Sequence, residues 1–242
     1  LIYDKNRFFV ESRYFFTEVE RENYPNGGFN IGLSHGIVGV LSVLIKYSEI
    51  ENINHRTKIN KYKEKIYNEL INDAYNINER LIWPQIKSKD LLKDDPVPFD
   101  SWCYGPPSII FHLYKVAKES DKCGDKNMLE EMMKKISKDI QGITSPSFCH
   151  GYAGLLTIFI EFNKLADKEV VENKTLESIR GKIMEFYNIN DFPFYERLYD
   201  IDSGQIEWFK NLGLLTGISG IGLSLLHFES SNLLQWPKVF TL

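Results

Sequence analysis

Three features are scarce in this chain, and each scarcity argues against a class of protein. No apolar run approaches the roughly 20 residues that a bilayer-spanning helix needs, so no membrane-spanning segment is expected. The 242 residues include only three cysteines, which argues against a secreted disulfide scaffold and favours reduced thiols in the cytoplasm. The net charge is −4 and no basic patch stands out, which argues against a nucleic-acid partner.

What the chain does contain is an alternation of apolar and polar segments of helical length. The apolar segments are 36–50, 105–118, 151–166 and 217–229, and the polar segments are 56–76, 127–141, 170–188 and a short one at 232–242. A helix that is apolar on all sides is buried, whereas a helix with a polar face lies outside. The alternation predicts an all-α protein, an α/α toroid in which an outer ring of helices wraps an inner ring. We expect a single domain over residues 1–242, with short strands or loop in 1–30 and loops in 77–100 and 189–212.

Each apolar segment begins with a related motif. In chain order the motifs are Ser34-His35-Gly36-Ile37-Val38-Gly39, Cys103-Tyr104-Gly105-Pro106-Pro107-Ser108, Cys149-His150-Gly151-Tyr152-Ala153-Gly154 and Leu215-Thr216-Gly217-Ile218-Ser219-Gly220. Glycine permits a sharp entry into a helix, and small residues one turn apart allow close packing. The glycines alone therefore do not indicate a function.

The residues that precede the first glycine of each motif carry more information. In a toroid built from repeated helix pairs, equivalent positions lie around the axis at one end, so His35, Cys103, Cys149 and His150 are expected to converge. Two thiolates and one imidazole are a common ligand set for zinc, with a fourth position left for water or substrate. Each cysteine also precedes a helix N-terminus, where the helix dipole favours the thiolate. Zn²⁺ is therefore the predicted cofactor.

The same residue types also have plainer explanations. A buried cysteine is most often a small apolar core residue, and Cys103 and Cys149 could instead form a disulfide. Cys123 lies in a predicted turn, His112 and His227 are expected in the core, and His55 is expected on the surface. The aromatic segments 8–16 and 192–209 either line a peptide groove or belong to the core.

Three of these segments resemble the lanthionine synthetase C-like family, the lanthipeptide cyclases. They are Gly32-Leu33-Ser34-His35-Gly36, Ser101-Trp102-Cys103-Tyr104-Gly105 and Cys149-His150-Gly151-Tyr152-Ala153-Gly154. The resemblance runs from about residue 6 to the C-terminus, and it implies an α/α toroid with zinc at one end. It also implies that a cysteine thiol of a dehydrated precursor peptide adds to dehydroalanine or dehydrobutyrine and closes a (methyl)lanthionine thioether ring.

Carried over to this chain, the resemblance implies that Cys103, Cys149 and His150 are the zinc ligands and that the peptide thiol takes the open position. His35 would protonate the enolate after addition, or otherwise assist proton removal, and Tyr104 would border the site. The implied partners are the dehydrated precursor peptide, a dehydratase and an export transporter in a membrane-associated complex. The protein itself would be cytoplasmic and attached to the membrane peripherally, through these partners.

The chain also departs from the family pattern. Phe99 stands where family members usually carry an arginine, and Ser108 replaces a glycine. The four inner helices are fewer than a full toroid contains, and an aspartate typical of the family's N-terminal part has no counterpart. Because the chain also begins with Leu1, we expect either the C-terminal portion of a longer cyclase or a truncated relative that lacks N-terminal helix pairs.

Two further functions compete with the cyclase. The first is a catalytically impaired, zinc-containing protein of the same fold that binds a peptide or a partner protein, and Phe99 and the missing aspartate favour it. The second is a zinc hydrolase. It is the weaker alternative, because two thiolates make zinc-bound water less acidic and no glutamate in the motifs is placed as a base.

Overall fold

The computed structural model describes residues 8–15, 17–50, 55–88, 99–120, 122–199, 205–230 and 235–242. These residues form two compact units. The first unit contains the described residues of Leu1–Pro98 together with Cys103–Leu129, and the second contains Phe99–Trp102 together with those of Glu130–Leu242. Within the described ranges, no helix is both long enough and apolar enough to cross a bilayer.

The first unit combines short strands with three long helices. Its strands are β1 (Phe9–Val10), β2 (Gly28–Asn30), β3 (Tyr75–Ile77), β4 (Arg80–Ile82) and β5 (Ile86–Lys87). Strand β2 pairs antiparallel with both β1 and β5, and β3 pairs with β4 in a hairpin. Its helices are a 3₁₀ turn (Ser12–Tyr14), α1 (Glu18–Asn23), α2 (Ile37–Ser48), α3 (Arg56–Asn72) and α4 (Pro106–Glu119).

Helix α2 packs against α3 and α4, and the three helices differ in what they bury. Helix α3 buries one stripe, which includes Ile59, Ile66 and Leu70, and turns most of its charged residues to solvent. Helix α4 buries residues on every side and begins with Pro106, whose fixed backbone angle suits a helix start. The predicted difference between a polar outer helix and an apolar inner helix is confirmed for α3 and α4.

The second unit is built around one helix that is buried on every side over most of its length. Its elements are α6 (Tyr152–Ala166), α7 (Asn173–Met184), β6 (Tyr195–Tyr199), β7 (Ile206–Lys210), α8 (Ile218–Glu229) and a 3₁₀ turn (Trp236–Phe240), while α5 (Cys123–Lys138) crosses from the first unit into the second. Helix α6 packs against α7 and α8. Helix α7 buries Leu176, Ile179 and Ile183, the spacing of a single apolar stripe.

Burial on every side holds for most of α4 and α6 but not for the other two apolar helices. Val43 of α2 is 62% exposed, and Leu226 of α8 is 59% exposed. The expectation that all four apolar helices are covered on every side was therefore wrong for α2 and α8. An apolar sequence predicts burial only where neighbours surround the helix on both sides.

The predicted loops were wrong in two places. The segment 77–100 contains β4 and β5, and the segment 189–212 contains the β6–β7 hairpin. In the first hairpin, Asn78 and Glu79 both adopt positive φ, the geometry of a tight two-residue turn, although only asparagine favours it. Helix α5 begins at Cys123 rather than at residue 127, so Cys123 lies in a helix and not in a turn.

Parts of the expectations for 1–30, 77–100, 189–212 and 232–242 fall on residues 1–7, 16, 89–98, 200–204 and 232–234, which lie outside the described residues. In the described part of 232–242 the chain forms the 3₁₀ turn Trp236–Phe240 rather than a longer helix. The assignment of residues 1–242 to a single domain stays a prediction.

Candidate functional site

The turn that carries His35 leads from β2 into α2 in the first unit. His35 directly precedes Gly36, the residue that caps the helix N-terminus. The backbone N–H groups of Leu33 and Ser34 both donate to the carbonyl oxygen of Cys103, over 2.8 and 3.3 Å. The backbone of the His35 turn is therefore fixed directly against the backbone of Cys103.

The side chains of His35 and Tyr104 meet beside this backbone contact. Their ring centroids are 6.2 Å apart, and the His35 side chain is exposed. The amide of Asn30 donates to the Tyr104 hydroxyl over 3.1 Å and accepts from the backbone N–H of Gly32 over 3.0 Å. The first unit thus brings together three of the predicted residues: His35, Cys103 and Tyr104.

Cys149 and His150 lie in the turn that precedes α6 in the second unit. The backbone N–H of Cys149 donates to the carbonyl oxygen of Leu215 over 2.7 Å, which joins this turn to the turn before α8. The hydroxyl of Ser145 accepts from the N–H of Ser147 over 3.2 Å. Both Cys149 and His150 are half-buried.

His150 lies in a less polar environment than a surface histidine. Burial lowers the pKa of His150 below its ordinary value, and the negative charge of Glu196 acts in the opposite direction without cancelling the effect. A lowered pKa keeps the imidazole neutral near pH 7. The neutral form is the one that can act as a metal ligand.

The repeated glycines have a steric reason in three of the four turns. A Cβ on the first glycine would collide with a backbone carbonyl oxygen six residues earlier in the chain, and a Cβ on the second would collide with another carbonyl of the same turn. The turns are therefore folded back tightly on themselves. The colliding first pairs are Gly36 with Asn30, Gly151 with Ser145 and Gly217 with Asn211.

These turns share a further position that lies outside the four motifs. Asn30, Ser145 and Asn211 each stand six residues before the first glycine, and each side chain accepts a hydrogen bond from the N–H two residues later. In three of the four motifs, an asparagine or serine six residues before the first glycine was a sequence signal that could have identified this position. In the second motif this position is Phe99, whose side chain cannot make the bond.

Ser108 accommodates the missing glycine of the second motif without leaving a polar group unsatisfied. Its side chain is fully buried, and its hydroxyl donates to the carbonyl oxygen of Gly105 over 3.0 Å. The hydroxyl turns back onto its own helix. The serine is therefore compatible with the start of α4.

An aromatic cluster in the second unit includes the residues that precede both candidate ligand cysteines. The Trp102 and Phe148 ring centroids are 5.4 Å apart, and the Phe240 ring lies 5.3 Å from Trp102 and 4.5 Å from Phe148. Trp102 directly precedes Cys103, and Phe148 directly precedes Cys149. Phe240 comes from the 3₁₀ turn near residue 242, and its role in this cluster had no signal in the motifs.

The other cysteine and histidines behave as follows. Cys123 is exposed, and none of the three cysteines, all in the described residues, forms a disulfide. The predictions for His112, which is fully buried, and for His55, which is exposed, are confirmed. His227 is also fully buried as predicted, but its Nε2 lies 2.7 Å from the carboxylate of Glu161, a partner that the sequence did not indicate.

The two aromatic segments are only partly core. Phe15 and Phe194 are buried, whereas Phe9, Trp208 and Phe209 are at least 40% exposed. The core explanation therefore fails for Phe9, Trp208 and Phe209, and the peptide groove stays a prediction.

Across the described ranges, no three or more histidine, cysteine, aspartate or glutamate side chains are grouped so that they could hold a metal ion. The structure places Cys103 in the first unit and Cys149 with His150 in the second. The three-ligand zinc set therefore stays a prediction. The donor types do fit zinc, because two cysteines outside disulfides can ionise and a half-buried imidazole can stay neutral.

The profile of lanthionine synthetase C-like proteins matches residues 3–241, almost the whole chain. The chain belongs to the lanthionine synthetase C-like family. A nisin biosynthesis protein, NisC, of Lactococcus lactis subsp. lactis is 28% identical over 245 aligned residues, which cover 97% of this chain and 53% of that protein. The solved structure of a nisin cyclase superposes with a TM-score of 0.76 and 25% identity, over 97% of this chain and 55% of its own.

Family membership and the structural match confirm the predicted all-α toroid class. The chain of this lanthionine synthetase C-like protein spans about half the length of the relatives it matches. For this chain, the activity, substrate and partners of the complete relatives are therefore proposals.

Proposed function

We propose that this chain belongs to a zinc-dependent lanthipeptide cyclase. The enzyme adds cysteine thiols of a dehydrated precursor peptide to dehydroalanine or dehydrobutyrine and forms (methyl)lanthionine rings. The observation that carries the proposal is the joining of the His35 turn to the Cys103 backbone, with Tyr104 against the imidazole. This arrangement combines a proton-transfer group with a candidate metal ligand in a family that includes a nisin cyclase.

In this proposal Cys103, Cys149 and His150 hold the zinc ion. Zinc, when bound, lowers the pKa of a coordinated peptide thiol and so supplies a thiolate at neutral pH. The lowered pKa of His150 keeps this residue in the form that can bind metal.

The residues of the chain have separate tasks in the addition step. The peptide thiol releases its proton to water, its sulfur forms a bond to the β-carbon of the dehydroamino acid, and the electron pair of the double bond moves to the α-carbon and its carbonyl. His35 then delivers a proton to the α-carbon, and its exposed ring can receive the replacement proton from water. Imidazole exchanges protons near neutral pH, which suits both tasks. Tyr104, anchored by Asn30, limits the movement of the His35 ring.

The proposal extends to partners and location. The substrate is a precursor peptide whose serines and threonines have been dehydrated, so a dehydratase must act first. We place the protein in the cytoplasm, associated peripherally with the membrane through the dehydratase and an export transporter.

The direct test uses the protein in its full natural length and a dehydrated precursor peptide. Ring closure consumes free thiols without changing the mass of the peptide, so alkylation before mass spectrometry counts the unreacted cysteines. We expect the number of alkylated cysteines to fall at a rate proportional to enzyme concentration. Thiol loss no faster than in a sample without enzyme would contradict the proposal.

One observation favours the second candidate, a zinc-containing binder of a peptide or partner protein. Phe99 places an apolar side chain where family members usually carry an arginine, and it lacks the polar side chain of the other repeated turns. If the protein is a binder, a column that carries the immobilised, zinc-loaded protein would retain the dehydrated peptide. The thiols of the peptide would stay unreacted. The alkylation experiment therefore separates the two functions.

A further inference from the structure

The side chain of Asn30, at the end of β2, makes one hydrogen bond as an acceptor and one as a donor. Its Oδ1 accepts from the backbone N–H of Gly32 over 3.0 Å, and its Nδ2 donates to the Tyr104 hydroxyl over 3.1 Å. Because a backbone N–H can only donate, the contact with Gly32 fixes which end of the amide is the oxygen. The Tyr104 oxygen therefore accepts from Asn30, and the hydrogen of this hydroxyl points towards a different acceptor.

The bond to Oδ1 is the part that other repeated turns share. The hydroxyl of Ser145 accepts from the N–H of Ser147 over 3.2 Å, and the side-chain oxygen of Asn211 accepts from the N–H of Gly213 over 2.6 Å. Serine has no amide nitrogen, yet the turn of Ser145 has the same tight fold as the turn of Asn30. The fold of the turn therefore needs an acceptor at this position but not the amide nitrogen.

The bond from Nδ2 of Asn30 leaves its own turn. The corresponding nitrogen of Asn211 donates within its turn to Thr216, over 3.0 Å. The nitrogen of Asn30 instead donates to Tyr104, which is 74 positions away and whose ring lies 6.2 Å from that of His35. The donor end of Asn30 thus acts on the residue that faces the proposed proton-transfer group.

The Tyr104 ring also lies directly on the backbone of Gly32. A Cβ on Gly32 would stand 2.5 Å from Cδ1 of this ring and 2.7 Å from the carbonyl oxygen of Cys103. The N–H of Gly32 is the group that Oδ1 of Asn30 holds. One side chain therefore fixes both the backbone under the ring and the hydroxyl at the end of the ring.

We propose that Asn30 is a positioning residue for proton transfer by His35 and that its amide nitrogen acts through the Tyr104 hydroxyl. A proton-transfer group has to stay within hydrogen-bond reach of its target, so a looser Tyr104 ring should slow the step without weakening peptide binding. The inference rests on the proposed function, because it requires His35 to transfer a proton in the cyclisation.

The test compares kcat and KM of full-length variants with a dehydrated precursor peptide. Asn30→Ser should keep the bond that folds the turn, as Ser145 does, and lose only the bond to Tyr104. We expect kcat to fall about 2- to 10-fold, the usual effect of one hydrogen bond, while KM and the urea midpoint stay those of the wild type. Asn68→Ser is the matched control, since it removes the same amide from an exposed position of α3 and should leave kcat unchanged.

A double-mutant cycle shows whether Asn30 acts through the phenol oxygen. In a Tyr104→Phe background, Asn30→Ser is expected to have no further effect on kcat. A folded Asn30→Ser variant with wild-type kcat, or an equal loss in both backgrounds, would overturn the inference and leave the proposed function intact. If Asn30→Ser does not fold, Tyr104→Phe decides alone: a lowered kcat supports the inference, and a wild-type kcat would overturn it. A wild type without cyclisation would overturn both the inference and the proposed function.

Discussion

His35 and His150 occupy the same position in two repeated turns, each directly before the glycine that opens an apolar helix, yet their surroundings differ. His35 is exposed and lies against the ring of Tyr104. His150 is half-buried, and burial lowers its pKa although the charge of Glu196 acts in the opposite direction. An exposed imidazole can exchange protons with water, and a half-buried neutral one can bind a metal. The repeated turn therefore sets the position of the histidine, and the neighbouring residues determine whether its imidazole exchanges protons or binds a metal.

The largest expected effect is the loss of zinc when Cys149 is removed. Cys149→Ala deletes a proposed ligand beside His150, and zinc content is expected to fall from stoichiometric to background, because two protein ligands hold the ion poorly. Elemental analysis of the purified protein measures this. The matched control is Cys123→Ala, which removes an exposed thiol at the start of α5 and should keep full zinc content. Retention of zinc by Cys149→Ala would exclude this residue as a ligand.

Removal of His35 is expected to have the opposite effect on zinc content, which should stay unchanged while the cyclisation rate falls. His35→Ala should keep its zinc and lose about 10²- to 10⁴-fold in cyclisation rate, the usual contribution of a proton-transfer group. Alkylation-coupled mass spectrometry gives the rate, and zinc analysis of the same sample gives the metal content. His55→Ala, which removes an exposed histidine before α3, serves as the control. Equal loss of zinc and activity in His35→Ala would remove the distinction between the two histidines.

The two turns should respond alike when their shared backbone is disturbed. A Cβ at Gly36 or Gly151 would collide with the backbone of Asn30 or Ser145, so each alanine variant is expected to lose about 1–3 kcal/mol of unfolding free energy. Gly124→Ala is the control, because nothing lies within 4 Å of its added Cβ. Urea denaturation measures all three variants. A loss confined to one turn would show that the turns are not built on the same principle.

The smallest effect concerns a third histidine and its carboxylate. Burial raises the pKa of Glu161, but the hydrogen bonds and charges of His227 and Lys164 outweigh burial and hold the pKa below its ordinary value. A carboxyl of this kind contributes stability above its unfolded pKa of about 4.3 and loses that contribution as the pH falls through the folded pKa. Below about pH 4.3, the wild type should therefore lose unfolding free energy more steeply than Glu161→Gln. Parallel pH profiles of the two proteins would contradict this.

The sequence predicted the helices and the register of the site because both depend on local spacing. Alternating apolar segments indicated α2, α4, α6 and α8, and the shared glycines aligned His35 with His150. The hydrogen bond from Asn30 to Tyr104 could not be predicted, because it joins residues 74 positions apart. The burial of Glu196 could not be predicted either, because this residue lies on a short strand in a segment expected to be a loop, where no periodicity marks a buried carboxylate.

The most direct test of the proposal that two repeated turns share one zinc ion is X-ray absorption at the zinc edge of the full-length protein. The account predicts stoichiometric zinc with two sulfur ligands at about 2.3 Å and an imidazole nitrogen at about 2.0–2.1 Å. Cys103→Ala and Cys149→Ala should both lose the zinc signal. A folded wild type without zinc, or with only oxygen and nitrogen ligands, would contradict the account.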